Sequence, residues 1–166
     1  MENAIISAVT HDTSEAKMTV SGVPDQPGVA AKLFRSLADA EVNVDMIVQN
    51  VSDAGATDIS FTLPHEQVSA ATATVDALVA EIGAKGVVTD TGIGRVSLTG
   101  AGMQTNPGVA ATMFETLSTS GINIEMISTS AIRISCVVRE DQAEQAVTVL
   151  HAAFELDKAP ANRSDI

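Results

Sequence analysis

A repeated segment constrains the fold of this chain more than any other feature of its sequence. Residues 25–47 (DQPGVAAKLFRSLADAEVNVDMI) align without a gap on residues 105–127 (TNPGVAATMFETLSTSGINIEMI), at a constant offset of 80 residues. Both copies contain a Pro-Gly pair near the start and an Asn-x-acid triplet near the end. A chain of 166 residues with such a repeat is expected to form two small units of one topology.

Each copy begins as a strand, a turn and a helix. The alternating segments 17–23 and 95–101 predict the strands. Proline at positions 27 and 107 fits the first turn of a helix, with Asp25, or Thr105 and Asn106, as the cap. Apolar residues four positions apart predict one helix face that packs on a sheet, and the helices are expected to end near residues 40 and 120.

The rest of each copy predicts two strands and a second helix. In the last strand of the second copy, Ile132, Ile134 and Cys136 alternate with Arg133, Ser135 and Val137, and Cys136 is expected to point inward with Ile134 and Val138. The predicted strands are 42–51 and 56–63, then 122–129 and 131–138, and the predicted helices are 66–82 and 140–153.

Only the first copy has a closing strand, at residues 86–90, which gives the order β-α-β-β-α-β of the split βαβ motif. The second copy lacks one, and the strand-like segment 4–9 is predicted to supply it. We therefore expect an α+β fold with two ferredoxin-like domains in tandem. The predicted domains are 15–92 and, discontinuously, 1–14 plus 93–155, followed by a flexible tail at 156–166.

Composition argues against several classes of partner and compartment. With 21 acidic and 9 basic residues, the net charge of −12 would repel the phosphate backbone of a nucleic acid. The single cysteine cannot form an internal disulfide, and the start of the sequence has no signal-peptide pattern. Because charged or turn residues interrupt every apolar stretch, no membrane span is expected. These observations favour a cytoplasmic location.

The sequence contains no recognisable catalytic constellation. His11, His65 and His151 are scattered, with no second ligand at metal-binding spacing. Cys136 falls on the inward face of a predicted strand, where a thiol packs as a small hydrophobe. A Gly-Ala-Gly turn at 100–102 lacks the third glycine of a dinucleotide loop. No catalytic residue, metal or cofactor is therefore expected.

The turn at 25–28, which opens a helix, is the strongest candidate for a binding site. Backbone N–H groups at a helix N-terminus can bind a carboxylate such as that of an amino acid. Asp25 and Asn43 would suit the ammonium or a hydroxyl group of the ligand, and Gln49 offers both a donor and an acceptor. From spacing alone, a purely structural turn with cap chemistry remains the alternative.

These residues and their repetition resemble tandem ACT domains, and more closely the regulatory part of aspartate kinases. The resemblance is carried by LFRSLADAEVNVDMIVQNVS, TDISFT, GAGM followed by NPGV, and INIEMISTSAIRISCVV, which together cover more than half of the chain. The kinase half of that family does not occur in this sequence, as in the small β-subunits of its α2β2 members. The resemblance thus implies a chain that is not an enzyme by itself.

The resemblance also implies an effector and partners. Threonine, either alone or in concert with lysine, would bind where an ACT unit of one chain meets an ACT unit of another in a homodimer, and would inhibit the catalytic α-subunit. This inhibition is feedback on the biosynthesis of the aspartate family of amino acids. By matching position, the effector contacts are Asp25, Gln26, Pro27, Gly28, Val29, Ala30, Asn43, Val44, Asp45 and Gln49 in the first copy, and Val109, Ala110, Asn123, Ile124 and Ser130 in the second.

One residue departs from the family pattern. Ala131 stands where an acidic residue is usual, which affects either the effector preference or the coupling to the kinase. Three alternatives remain at this stage: a regulatory subunit of another biosynthetic enzyme that senses a branched-chain amino acid or glycine, an enzyme on the same scaffold, and a dimerisation module without a ligand. A selective ligand would separate the first from the last, because it raises the melting temperature.

Overall fold

The structure, a computed structural model, describes residues 5–50 and 54–156. The chain divides into two compact units. One, here called the continuous unit, is Thr13–Ile93, and the other, the split unit, consists of the chain before and after it. The predictions for residue 4, for 51–53 and for the tail from residue 157 lie outside the described residues.

The described ranges contain eight β-strands and four α-helices. In chain order they are β1 (Ile5–Asp12), β2 (Glu15–Pro24), α1 (Val29–Asp39), β3 (Ile47–Gln49), β4 (Ala56–Pro64), α2 (Val68–Ile82), β5 (Gly86–Asp90), β6 (Ile93–Ala101), α3 (Gly108–Thr119), β7 (Met126–Thr129), β8 (Arg133–Arg139) and α4 (Ala143–Ala153).

The continuous unit has the predicted β-α-β-β-α-β order. Its sheet has the strand order β3-β4-β2-β5, and each recorded pair of neighbours is antiparallel. The alternation of apolar residues along β2 and β4 places Met18, Val20, Ile59 and Phe61 in the core. The helices α1 and α2 bury their apolar residues in the same core, which confirms the apolar face predicted for α1.

The split unit repeats this topology with a borrowed strand. Its sheet has the order β1-β6-β8-β7, and β1 pairs antiparallel with β6, from Ile5 opposite Ala101 to Asp12 opposite Arg95. β1 therefore occupies the place that β5 has in the continuous unit. This pairing confirms the prediction that an N-terminal strand completes the second sheet.

The second predicted strand of each copy was too long. The predicted strands 42–51 and 122–129 shrink to Ile47–Gln49 and Met126–Thr129. The residues before them form an extended loop. In the continuous unit, Thr62 of β4 forms hydrogen bonds with both Asp45 and Met46 of this loop. Ile132 was also predicted wrongly, because it precedes β8 and is 60% exposed.

Helix starts and the last described residue also differ from prediction. α2 and α4 each begin after a short 3-10 turn, at His65–Gln67 and Glu140–Gln142, rather than at residues 66 and 140. Leu156 was assigned to the flexible tail, yet its N–H donates to His151 O at 2.9 Å and its side chain packs on the core. It therefore belongs to the folded split unit.

Candidate functional site

The turn between β2 and α1 is held by backbone hydrogen bonds. Asp25 N–H donates to Gly55 O at 2.9 Å, and Gln26 N–H donates to Pro24 O at 2.9 Å. Gly28 has φ 90°, a left-handed conformation that glycine adopts without the penalty of other residues. The turn therefore leaves β2 at a fixed angle and presents exposed residues 25–28 in front of the helix.

The predicted helix caps were wrong. α1 begins at Val29 with Gly28 as its N-cap, and α3 begins at Gly108 with Pro107 as its N-cap, so neither Pro27 nor Pro107 lies in the first helical turn. Neither helix has a side-chain cap hydrogen bond, which excludes Asp25, Thr105 and Asn106 as caps. Asn106 instead donates from Nδ2 to Gly102 O at 2.7 Å.

The uncapped helix ends leave backbone donors available. Val29 N–H donates to Gln26 O at 3.4 Å, and Val109 N–H donates to Asn106 O at 3.2 Å. Within the part of the chain that the structure describes, the next N–H groups, of Ala30 and Ala110, have no acceptor. Unpaired N–H groups at the positive end of a helix dipole favour a bound carboxylate.

A second group of predicted contacts follows the other end of α1. Asn43 and Asp45 are exposed and Val44 is partly buried. Asp45 N–H donates to Thr62 O at 3.0 Å, and Asn43 N–H donates to Gln67 Oε1 at 2.6 Å. The loop is thus tied to the end of β4 and to the turn before α2.

The register of the sheet separates the two groups. Pro24 pairs with Ala56 at the start of β4, and Gln49 pairs with Ile59 near the middle of that strand. The loop that contains Asn43 lies instead near Thr62, toward the other end of β4. We name the residues 25–30 and Gln49 the turn group, and the residues 43–45 the loop group. One unit does not bring these two groups together.

The split unit shows the same separation. Ala110 and Ser130 line one cavity of about 410 Å³, whereas Asn123 and Ile124 line another of about 490 Å³. Val109 is 8% exposed and packs in the core, so its side chain is not available to a ligand. The first cavity is lined by Met103, Gln104, Ala110, Thr129, Ser130, Ala131 and Ile134, and the second by Phe114, Ser118, Gly121, Ile122, Asn123 and Ile124.

Two residues near the loop groups had not been predicted. Gln67 bonds the Asn43 backbone, and Gln142 Nε2 donates to Gly121 O at 3.4 Å in the split unit. Their signal in the sequence is their recurrence as the last residue of a short polar stretch after each third strand, HEQ and EDQ. This recurrence lies outside the gap-free alignment of 25–47 with 105–127, at an offset of 75 residues.

A further set of side chains comprises those that could act as a nucleophile or as metal ligands. Burial raises the pKa of the Cys136 thiol to about 12, so the nucleophilic thiolate is suppressed at neutral pH. In residues 5–50 and 54–156, no group of three or more His, Cys, Asp or Glu side chains is placed to hold a metal ion. No helix in the same ranges is long and apolar enough to cross a membrane.

Comparison with known proteins agrees with this geometry. The ACT domain family matches residues 18–78 and 96–154, one match in each unit. The chain belongs to the ACT-domain family. Among solved structures, the aspartokinase alpha and beta subunits share 41% identity and a TM-score of 0.85, with 91% of this chain and 99% of that chain covered. The ligand-free regulatory subunit of aspartate kinase from Thermus thermophilus shares 37% identity and a TM-score of 0.85, with 90% and 98% covered.

Sequence relatives assign these ACT domains to one enzyme. The aspartokinase of Mycolicibacterium smegmatis is 51% identical over 158 residues, which is 94% of this chain and 38% of that protein. The chain therefore spans well under half the length of this relative. Its two ACT domains are the regulatory part of an aspartate kinase.

Proposed function

We propose that this chain is a regulatory subunit of aspartate kinase, without catalytic activity of its own, that binds threonine between two copies and transmits feedback inhibition to the catalytic subunit in the cytoplasm. Threonine acts either alone or in concert with lysine. The response lowers the flux into aspartate-family amino acids. Solved aspartokinase alpha and beta subunits, with which the chain shares its fold, support a catalytic partner.

The separation of the turn group from the loop group is the observation that carries this proposal. α1 has 11 residues and is therefore about 16 Å long, which exceeds the span of one amino acid. A ligand at the turn group can reach a loop group only if a neighbouring copy supplies it. Such a shared site makes the arrangement of the two copies depend on the effector, which is the requirement for allosteric control.

The chemistry of the turn group suits a zwitterion. The Ala30 N–H lies at the positive end of α1 and can bind the α-carboxylate. The exposed Asp25 is available for the α-ammonium, and Gln49 can bond a hydroxyl group such as that of threonine.

Titration calorimetry tests the site. Threonine is expected to bind the wild-type chain, and Asp25→Ala and Gln49→Ala are each expected to weaken binding. Asp76→Ala, an exposed acidic residue on α2, is the matched control and should bind like the wild type. Unchanged affinity in both site variants would refute the assignment, and a chain whose melting temperature no amino acid raises would instead be a dimerisation module without a ligand.

A further inference from the structure

Two glutamines hold equivalent positions in the two units. Gln67 and Gln142 are the last residues of the 3-10 turns that precede α2 and α4. Gln67 Oε1 accepts the Asn43 N–H at 2.6 Å, and Gln142 Nε2 donates to Gly121 O at 3.4 Å. In each unit the bond joins the start of the second helix to the loop that follows the first helix. This loop contains Asn43 in one unit and Asn123 in the other.

Neither glutamine serves the helix that follows it. Both stand at the N-cap position with φ near −100°, and neither α2 nor α4 has a side-chain cap hydrogen bond. Glutamine is not among the residues that favour this position. Gln67 and Gln142 are nevertheless partly buried, whereas the residues before them, Glu66 and Asp141, are exposed. The two amides therefore point to the loops and not to their own helices.

The loop in the continuous unit is held by hydrogen bonds at three of its backbone N–H groups. On one side, Val42 N–H donates to Leu37 O at 2.9 Å and closes the end of α1. On the other side, Asp45 N–H donates to Thr62 O at 3.0 Å. Between these two anchors, the Gln67 amide oxygen accepts the N–H of Asn43 and so holds the backbone that carries the Asn43 side chain.

We infer that Gln67 and Gln142 are positioning residues for the effector, which hold the Asn43 and Asn123 loops in the orientation that contacts the amino acid. Neither glutamine touches the ligand in this scheme. The inference rests on the proposed function, because the loop groups are contacts only if a neighbouring copy binds the effector against them.

The hydrogen bonds of Gln67 and Gln142 run in opposite directions, so each glutamine must present a different side-chain atom. A backbone N–H can only donate, so Gln67 must present its oxygen, and a carbonyl can only accept, so Gln142 must present its nitrogen. Gln67→Glu keeps the acceptor. Gln142→Glu removes the donor and places a carboxylate against the Gly121 carbonyl. Both variants add negative charge at a helix N-terminus, which does not lower helix stability.

Calorimetry of the full chain with L-threonine tests the role. Gln67→Glu should bind within about twofold of the wild type, whereas Gln67→Ala and Gln142→Glu should bind roughly three- to tenfold more weakly, the effect of one lost hydrogen bond. The melting temperature of Gln67→Glu should equal or exceed the wild-type value, and Gln142→Glu should remain folded at the temperature of the titration. A purely structural role would not separate the two variants in affinity while both remain folded. Glu66→Ala is the matched control on the same turn and should not change affinity.

Amide hydrogen exchange separates failure of this inference from failure of the proposed function. In the ligand-free chain, Gln67→Ala should accelerate exchange at the Asn43 amide, and Gln67→Glu should not. Wild-type affinity in both Gln67→Ala and Gln142→Glu overturns the positioning role and leaves the proposed function standing. Unchanged Asn43 exchange in Gln67→Ala overturns it by disproving the contact. A wild-type chain that does not bind threonine refutes the proposed function, and the positioning role with it.

Discussion

Arg139 donates two hydrogen bonds to the Glu125 carboxylate, from Nε to Oε2 at 2.8 Å and from a terminal guanidinium nitrogen to Oε1 at 2.7 Å. Glu125 is the acid of the Asn-x-acid triplet in the split unit. The continuous unit has Pro64 at the position of Arg139 and cannot pair Asp45 in this way.

The Glu125–Arg139 pair is expected to stabilise the split unit. A double-mutant cycle with Glu125→Gln and Arg139→Gln should give a coupling free energy of about 1 kcal/mol, since the geometry is bidentate but the Arg139 side chain is 40% exposed. Denaturant unfolding measures it. The Arg35–Asp39 pair, at 3.8 Å and with both side chains over 70% exposed, is the control and should couple by less than about 0.5 kcal/mol. Equal coupling in the two pairs would contradict the prediction.

Glycine should be the favoured residue at two equivalent helix ends. Glu41 (φ 59°) and Gly121 (φ 73°) occupy the left-handed position after α1 and α3. No atom lies within 4 Å of a Cβ built at Gly121, so backbone strain is the deciding term there. Gly121→Ala should lower the free energy of unfolding by about 1 kcal/mol, and Glu41→Gly should raise it by about 0.5 kcal/mol.

Glu41→Ala is the control for the glycine exchange, because alanine retains the strained backbone at that position. It should leave the denaturation midpoint almost unchanged. If Glu41→Ala stabilised the chain as much as Glu41→Gly, the side chain and not the backbone conformation would be responsible.

Cys136 should be unreactive in the folded chain. Burial raises the pKa of its thiol from 9.0 to about 12, so a thiol reagent at pH 8 should modify it only after unfolding. Because the folded pKa is the higher one, the thiol's contribution to stability is fully present below pH 9 and is lost between pH 9 and about 12. Unfolding at increasing pH, compared with Cys136→Ala, measures this loss. Rapid labelling of native protein would show that the thiol is accessible.

The cavity at Ala131 should discriminate against cationic side chains. Among the described residues that line it, the side chains are uncharged, with Gln104, Thr129 and Ser130 as the polar ones. Ala131→Glu should increase lysine affinity by about tenfold, the effect of one charge-assisted hydrogen bond, whereas the uncharged Ala131→Gln should not. Calorimetry with lysine, in the presence and absence of threonine, measures the change. Equal gains in both variants would exclude a charge effect.

Most of the fold could be predicted because the repeat shows nearly the same pattern of strands and helices twice. The closing strand 86–90 and the helix ends at residues 39 and 119 agree with the sequence pattern. The extended loop at 43–46 was mistaken for strand because pairing at a sheet edge depends on the partner strand, here on Thr62, and not on local alternation.

The candidate site was less predictable than the fold. The turn at 25–28 could be recognised from its Pro-Gly pair, but the left-handed Gly28 moves the helix start past Pro27 and removes the predicted cap. That the turn group and the loop group lie at opposite ends of one unit follows from the sheet register, which spacing along the chain does not reveal. Gln67 and Gln142 recur after HE and ED in the sequence, but each forms a single long-range bond whose partner the local sequence does not reveal.

The pairing of β1 with β6 has a consequence for synthesis on the ribosome. β1 emerges before the continuous unit, but the strand that it pairs with follows this entire unit. The continuous unit can fold as soon as it has emerged, and its pairing of Lys17 with Asp90 then draws together the chain segments that lead to β1 and β6. The effective loop that remains to be closed is short, which lowers its entropic cost. One half of the molecule thus prepares the other half to fold.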